Sequence, residues 1–403
     1  MRVLCLAVLL SGCAGGVRSA YEVARQDALR LPGPVPANWQ PDASLSLRKA
    51  TLTRELNNNL VALPPVMKEL AVGPVTIRPR LSYTDVEIMD GPGGCPTCVR
   101  LRVDLSGRTR VQSIGIDQRV DTQAHAVVSL KLGVAQSADG VWRFTVKARD
   151  VEEVRIDAAG MTASLEGWLE PSRRWLSASV RDALEPVTLF EVHQDSVPFR
   201  AARPVVTATA VRFDMRTDTT SEAVLVPANQ DMETAWMFEI AQESLLAALR
   251  RHAFEADPIE VASGPFQAKV VSEPTGLSMD GDDFSLGLRL WRVDGKGWWR
   301  DYEIDGQIDV TKGRNGGQVT ATTNSVEQVG RSAGAVWIDP LVAIANSKVV
   351  EGIAAAVASP QDRVFERKSE DGATRASVVS VAGAAGAVSV SGSLRVTADP
   401  QAK

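Results

Sequence analysis

Trp168-Leu169-Glu170-Pro171 and Trp337-Ile338-Asp339-Pro340 are two copies of one phrase, aromatic, aliphatic, acid, proline, and the organisation of the chain follows from laying one on the other. Proline suits the first turn of a helix, where its missing N–H has no partner to lose, and an acid just before it favours the positive helix N-terminus. After the first copy Leu176, Val180, Leu184 and Val187 recur at a spacing of three and four; after the second Leu341, Ile344, Val349 and Ile353 keep nearly the same period. Each phrase therefore predicts a helix that lays one apolar stripe against a partner.

Other blocks match outward from these anchors in the same order. Leu52 and Leu56 answer to Leu245 and Leu249, Gly73-Pro74 to Gly264-Pro265, and Met89-Asp90-Gly91 to Met279-Asp280-Gly281. Val151-Glu152-Glu153-Val154 answers to Val326-Glu327-Gln328-Val329, and the closing strands pair Phe213, Met215 and Asp218 with Leu394, Val396 and Asp399. Collinear matches of this kind are the mark of an internal duplication.

Between the helices the pattern is β. Val99, Leu101, Val103 and Leu105 alternate with polar residues, as do Phe284, Leu286, Leu288 and Leu290, and Val141 to Val146 reads as a further strand. Asp139-Gly140 and Asn315-Gly316 suit tight hairpins. Ala382 to Ala387, rich in Ala and Gly, reads as a loose loop. The expected fold class is α+β: two tandem repeats, each a highly curved antiparallel sheet wrapped around amphipathic helices.

The N-terminus reads as a targeting segment. Arg2 precedes the apolar run Val3 to Leu10, too short to span a bilayer, and Leu10-Ser11-Gly12-Cys13 follows at once. That tetrapeptide resembles the lipobox of bacterial lipoproteins, which implies cleavage before Cys13, acylation of Cys13, and a lipid-anchored place on the bacterial outer membrane facing the periplasm. Pro32, Pro34, Pro36 and Pro41 make the next stretch read as a tether. The expected divisions are 1–12 signal peptide, 13–44 lipidated N-terminus and tether, 45–218 first domain, 219–234 linker and 235–399 second domain.

A formal charge of −5 supplies no electrostatic reason to expect nucleic acid. Three widely separated histidines, His125, His193 and His252, argue against a histidine-rich metal site, and no phosphate-binding or nucleophile-elbow motif occurs. Ser46-Leu47-Arg48-Lys49 fits Ser-x-x-Lys without its companion motifs, and Asp280, Asp282 and Asp283 lack the run of oxygen ligands calcium needs. Neither a cofactor nor an enzyme is expected. Cys95 and Cys98, in Gly93-Gly94-Cys95-Pro96-Thr97-Cys98, read as a disulfide within a turn, with a redox dithiol as the alternative.

With two copies of helix, long antiparallel sheet, helix and closing strand in a lipoprotein, the chain resembles the tubular lipid-binding superfamily, which includes the bactericidal/permeability-increasing protein fold and the synaptotagmin-like lipid-transfer modules. The resemblance implies an apolar lumen between sheet and helices. Its lining would be Val99, Leu101, Val103, Leu105, Phe284, Leu286, Leu288 and Leu290, with Leu176, Val180, Leu184, Ile344, Val349 and Ile353 opposite. The implied partner is a lipid or other apolar ligand. A structural or assembly lipoprotein that binds an envelope protein or glycan is the second reading, and an envelope thiol oxidoreductase or hydrolase built on Cys95 and Cys98 the third.

Overall fold

The computed structural model describes residues 16–59, 65–67, 69–72, 74–114, 116–137, 141–158, 174, 177–178, 187–192, 199–226, 233–263, 266–295, 297–312, 317–332, 364–369 and 372–398. Within them lie eighteen strands in three antiparallel sheets, one curled into a half-barrel, and three short helices. The class is α+β, as expected. Both Trp-x-acid-Pro phrases, expected to open helices, lie outside the described residues.

Each half opens with a short strand that runs straight into a helix. Strand β1 (Ala43–Arg48) leads into helix α2 (Lys49–Asn59); β10 (Trp236–Ala241) leads into α3 (Gln242–Glu255). Long meanders follow: β3 (Val75–Asp90), β4 (Cys98–Ser113), β5 (Ile116–Gln136) and β6 (Trp142–Ala158) in the first half. In the second they are β12 (Phe266–Asp280), β13 (Asp283–Arg292), β14 (Trp298–Lys312) and β15 (Gly317–Arg331). Short strands β2 (Leu70–Val72), β7 (Val187–Val192) and β11 (Ile259–Ser263) extend the outer edges. Register slips beside Thr84 in β3 and beside Thr275 in β12, and such bulges bend a strand.

The halves close onto one shared sheet. Strands β8 (Phe199–Val206) and β9 (Ala210–Thr217) from the first half, and β16 (Val364–Ser369), β17 (Gly372–Ala384) and β18 (Ala387–Ala398) from the second, give the order β16-β17-β18-β10-β1-β9-β8. The opening strands β1 and β10 meet antiparallel at its centre, so the expected units 45–218 and 235–399 share one sheet. Leu45 faces Phe213 while Phe238 faces Val390. The central core spans both halves: Phe144 meets Phe213 edge-on at 4.8 Å, and Val99, Val128 and Leu130 join Met279, Ile240 and Val388.

A buried carboxylate locks this joint. Asp42 is 0% exposed; its Oδ1 accepts from Thr217 N at 2.8 Å, and its Oδ2 from Thr217 Oγ1 and from Ser244 Oγ at 3.0 Å. It thus binds the last residue of β9 to the first turn of α3, across the two halves.

Two expectations need correction. Residues 16–28 form a helix, α1, rather than part of a loose tether. Val17, Tyr21, Ala24 and Ala28 pack on Phe254, Val271 and Trp291, and Asp27 pairs with Arg250 at 3.2 Å. Prolines at Pro32 to Pro41 are real chain breakers, but the apolar spacing upstream of them is a helix stripe. Secondly, Ala382–Ala387 is the tip of the β17–β18 hairpin, paired as strand up to Ala384 and from Ala387 around a two-residue turn with positive φ at Ala385 (49°) and Gly386 (77°). Gly383 there forms a two-way backbone bridge with Gly281, and a Cβ on it would lie 2.3 Å from Met279 Cβ. Small residues at this point permit close approach. Leu249 is 41% exposed and Leu56 42% exposed, because each helix leans on the edge of its meander and buries only a narrow stripe.

Helix α2 shields a strand edge. The Asn57 amide donates to Val86 O at 2.7 Å and accepts from Val86 N at 2.8 Å, acting as a one-residue strand partner. Unpaired edges template association, and this one is covered along its outer half.

Candidate functional site

The first meander sheet has two faces of opposite character. One carries Val99, Leu101, Val103 and Leu105 of β4 in register with Leu130, Val128, Ala126 and Ala124 of β5. Ile88, Val86 and Tyr83 on one side and Val151, Val154 and Ile156 on the other extend the same face. It continues past the expected residues to Val111 and Val120. Gly107 and Thr109 interrupt the apolar alternation there, which is why sequence reading stops at Leu105. From Val99 to Val111 the strand runs about 40 Å at ~3.3 Å per residue.

The opposite face is ionic. Arg102 contacts Asp85 at 3.1 Å and Glu87 at 2.6 Å, and His125 Nδ1 meets Asp104 Oδ1 at 2.6 Å. Arg110 grips Asp117, whose carboxyl this hydrogen-bonded contact holds down to about 2. Surface pairs of this kind add little stability, but they mark the solvent side without ambiguity.

Among the sequence-predicted lining residues, Val99 belongs to the central core with Leu101 packed against it, while Val103 and Leu105 form a second cluster with Leu81, Val86 and Ala124. Tyr83 lies beside that cluster, and burial pushes its phenol above the ordinary value of 10.0. In the second half Phe284, Leu286, Leu288 and Leu290 also share a face, joined by Val270, Trp298, Tyr302 and Ile304. Leu288 and Leu290 are buried, whereas Phe284 and Leu286 are half-buried. Leu176, Val180, Leu184, Ile344, Val349 and Ile353, expected on helices, and Cys13, expected to carry the anchor, lie outside the described residues.

Trp298, Arg300 and Tyr302 are the inward residues that sequence reading missed. They stand at every second position of β14 ahead of Ile304, an alternation masked by the arginine and by the Trp298-Trp299 doublet. On the reverse face Glu273 is buried, accepting from Trp291 Nε1 and Arg250 Nε, each at 2.6 Å, while Arg250 reaches Asp27 of α1. This network and the Tyr21 ring, 5.8 Å from both Phe254 and Trp291, dock α1 on the second half.

Cys95 and Cys98 form a disulfide in the β3–β4 turn, and Cys98 is 0% exposed. The turn is stitched to the rest of the fold, with Leu132 N donating to Thr97 O at 3.0 Å and Val206 N to Pro96 O at 3.1 Å. Cys98 Sγ is shielded, which leaves the half-buried Cys95 as the sulfur with a path to an attacking thiol. In the Ser-x-x-Lys match, Lys49 Nζ is paired with Asp90 at 2.7 Å. Among the described residues no group of His, Cys, Asp and Glu could hold a metal ion, and no helix is long and apolar enough to cross a membrane.

No family model matches the chain, and no curated protein matches it. Solved structures align with most of its length. A crystal structure of lipopolysaccharide binding protein is 8% identical, with 89% of this chain and 100% of that one covered at a TM-score of 0.39. P47 from Clostridium botulinum A2 is 9% identical, covering 88% and 97% at 0.37. P47 of Clostridium botulinum E1 is 8% identical, covering 88% and 99% at 0.39.

Proposed function

We propose that this chain is a duplicated member of the tubular lipid-binding superfamily, anchored to the outer membrane through Cys13 and facing the periplasm, which binds a lipid between sheet and helices and transfers it without covalent chemistry. The observation that carries the reading is the long, largely apolar face of the first meander sheet, interrupted at Gly107 and Thr109 and backed by an ionic face. Strands in globular proteins average five or six residues, whereas β3 to β6 run 16, 16, 21 and 17. A face about 40 Å long exceeds the ~15 Å that one leaflet's tails occupy, so it can line acyl chains end to end. Lifting a sixteen-carbon tail into water costs on the order of 12 kcal/mol at ~0.8 kcal/mol per buried CH₂, and a continuous apolar wall offsets most of it.

Duplication is supported by the order of elements. In each half an opening strand enters a helix, a four-strand meander with a bulge beside a threonine follows, and a closing strand returns beside the opener. The blocks ending at Asp90 and at Asp280 both terminate the first meander strand. Docking of α1 would hold an acylated Cys13 within a few residues of the second half, so the body would sit close to the membrane.

The test is native mass spectrometry with solvent extraction, on a chain whose residues 1–13 are replaced by a cleavable secretion signal, purified from periplasm without detergent. Stoichiometric co-purified lipid is expected. An apo mass that persists after incubation with envelope lipids would overturn the reading in favour of a partner-binding lipoprotein. In the full-length chain Cys13→Ser should leave the membrane fraction, and its retention there would refute the anchor.

A further inference from the structure

The inner wall of the second half contains polar groups that a dry core would not tolerate. Tyr302 is 4% exposed and Trp298 5% exposed, yet the Tyr302 hydroxyl and Trp298 Nε1 have no hydrogen-bond partner, and neither does Ser272 Oγ on the same face. Arg300 stands between the two aromatics, 3% exposed, its Nη1 donating to Gln328 Oε1 at 2.8 Å and its guanidinium carbon 5.9 Å from the Trp298 ring centre. Register places these groups together. Ser272 of β12 lies opposite Leu290 of β13, which lies opposite Arg300 of β14, and Trp298 and Tyr302 flank Arg300 at two-residue spacing.

Each buried group left without a partner costs about 1–3 kcal/mol, so three together cost a large share of a domain's stability. Retaining them makes sense if something bound there completes them. Indole N–H can only donate, and both hydroxyls can donate, so the occupant must present acceptor oxygen. The apolar residues of the same face, Leu290, Leu288, Leu286 and Phe284, lead from this polar end toward Met279 and the central core over about 20 Å at ~3.3 Å per residue.

We infer that Tyr302, Trp298 and Ser272, with the Arg300 charge beside them, form a head-group subsite that holds the acyl oxygen of a long-chain lipid, its tail running along Leu290 to Phe284. Two sources present that chemistry, the carboxylate of a free fatty acid and the ester carbonyl of an acyl lipid. The inference rests on the lipid-binding reading above, but it adds a polarity to the second half: head toward the β13–β14 turn, tail toward the central sheet.

Three fluorescent probes separate the two levels in the mature chain lacking residues 1–13: diphenylhexatriene, which has no polar atom, cis-parinaric methyl ester, and cis-parinaric acid. Diphenylhexatriene binding reports an apolar lumen alone. The ester and acid should bind more tightly than their Tyr302→Phe counterparts by about 10-fold, the worth of one buried hydrogen bond, with diphenylhexatriene unchanged. Acid tighter than ester would point to a free fatty acid, and equal affinities to an ester-linked acyl lipid. Ser272→Ala, on a different strand, should act in the same direction. The lipid-free protein supplies a readout that a purely structural tyrosine would not give: removing a partnerless hydroxyl should leave the unfolding midpoint of Tyr302→Phe equal to the parent's or higher. A lowered midpoint, or loss of affinity shared equally by all three probes, overturns the subsite. Diphenylhexatriene bound with no effect of either substitution on ester or acid also overturns it, leaving the lumen standing. Failure of every probe would overturn lumen and subsite together.

Discussion

Replacing Asp42 with Asn tests whether the two halves are held by the buried carboxylate at their joint. The asparagine amide can keep its oxygen toward Thr217 N, so the 2.8 Å bond survives. Its nitrogen cannot accept from Thr217 Oγ1 or Ser244 Oγ, and both hydroxyls lose a charged acceptor. Thr217 Oγ1 has an alternative in Thr219 Oγ1 at 3.0 Å, which leaves Ser244 as the main casualty. Hydrogen bonds to charged groups are worth about 1.5–3 kcal/mol each, so the expected loss is ~2–4 kcal/mol, larger for Asp42→Ala. Ser244→Ala alone should cost about 1–2 kcal/mol, since the carboxylate keeps its Thr217 bonds. The double variant should cost less than the sum by about 1 kcal/mol, because each substitution removes the same bond. Urea unfolding followed by tryptophan fluorescence measures all three. Additive single effects, or an Asp42→Asn variant within about 0.5 kcal/mol of the parent, would refute the joint.

Gly383→Ala should destabilise by about 3–5 kcal/mol, since its Cβ overlaps Met279 and forces apart the paired backbone bonds to Gly281, 2.6 and 2.8 Å long. Gly93→Ala, where a Cβ meets nothing within 4 Å, is the matched control, and equal urea midpoints for the two would contradict the close approach. Asn57→Ala should cost about 1–3 kcal/mol and raise concentration-dependent association on sizing columns, because it bares the Val86 edge; an unchanged elution profile and midpoint would count against edge covering. Burial raises the phenol pKa of Tyr21 and Tyr83 above 10.0. The neutral phenols therefore favour the folded state, a contribution that is full below pH 10.0 and lost as pH rises through the folded values. Phenolate absorbance of the folded chain should lag that of the denatured chain, and superimposed curves would refute the burial of both rings.

The sequence reading of β4 and β13 located the right faces, since alternation is a property of neighbouring residues and needs no tertiary information. It stopped short where the pattern is broken for local reasons: Gly107 and Thr109 in β4, and the polar residues Trp298, Arg300 and Tyr302 in β14. An inward arginine reads as solvent-facing until its neighbours on three strands are known. Leu52 and Leu245 lie on the helices that follow β1 and β10, and Asp90 and Asp280 end β3 and β12, whereas Phe213 faces Leu45 and Leu394 lies beyond the residues of β18 that pair with β10.

By itself, then, the sequence determined the strand-rich α+β class, the hairpins and the disulfide-sized spacing of Cys95 and Cys98, all of them consequences of contacts over a few residues. Tertiary structure alone decided that β1 pairs with β10, that Asp42 meets Ser244 across 202 residues of chain, and that Asp27 meets Arg250 across 223. The physical reason is that a carboxylate or an opening strand carries no record of its partner in its own neighbours. Its partner is selected by which apolar faces must be buried at once, and that choice is made by the folded chain as a whole.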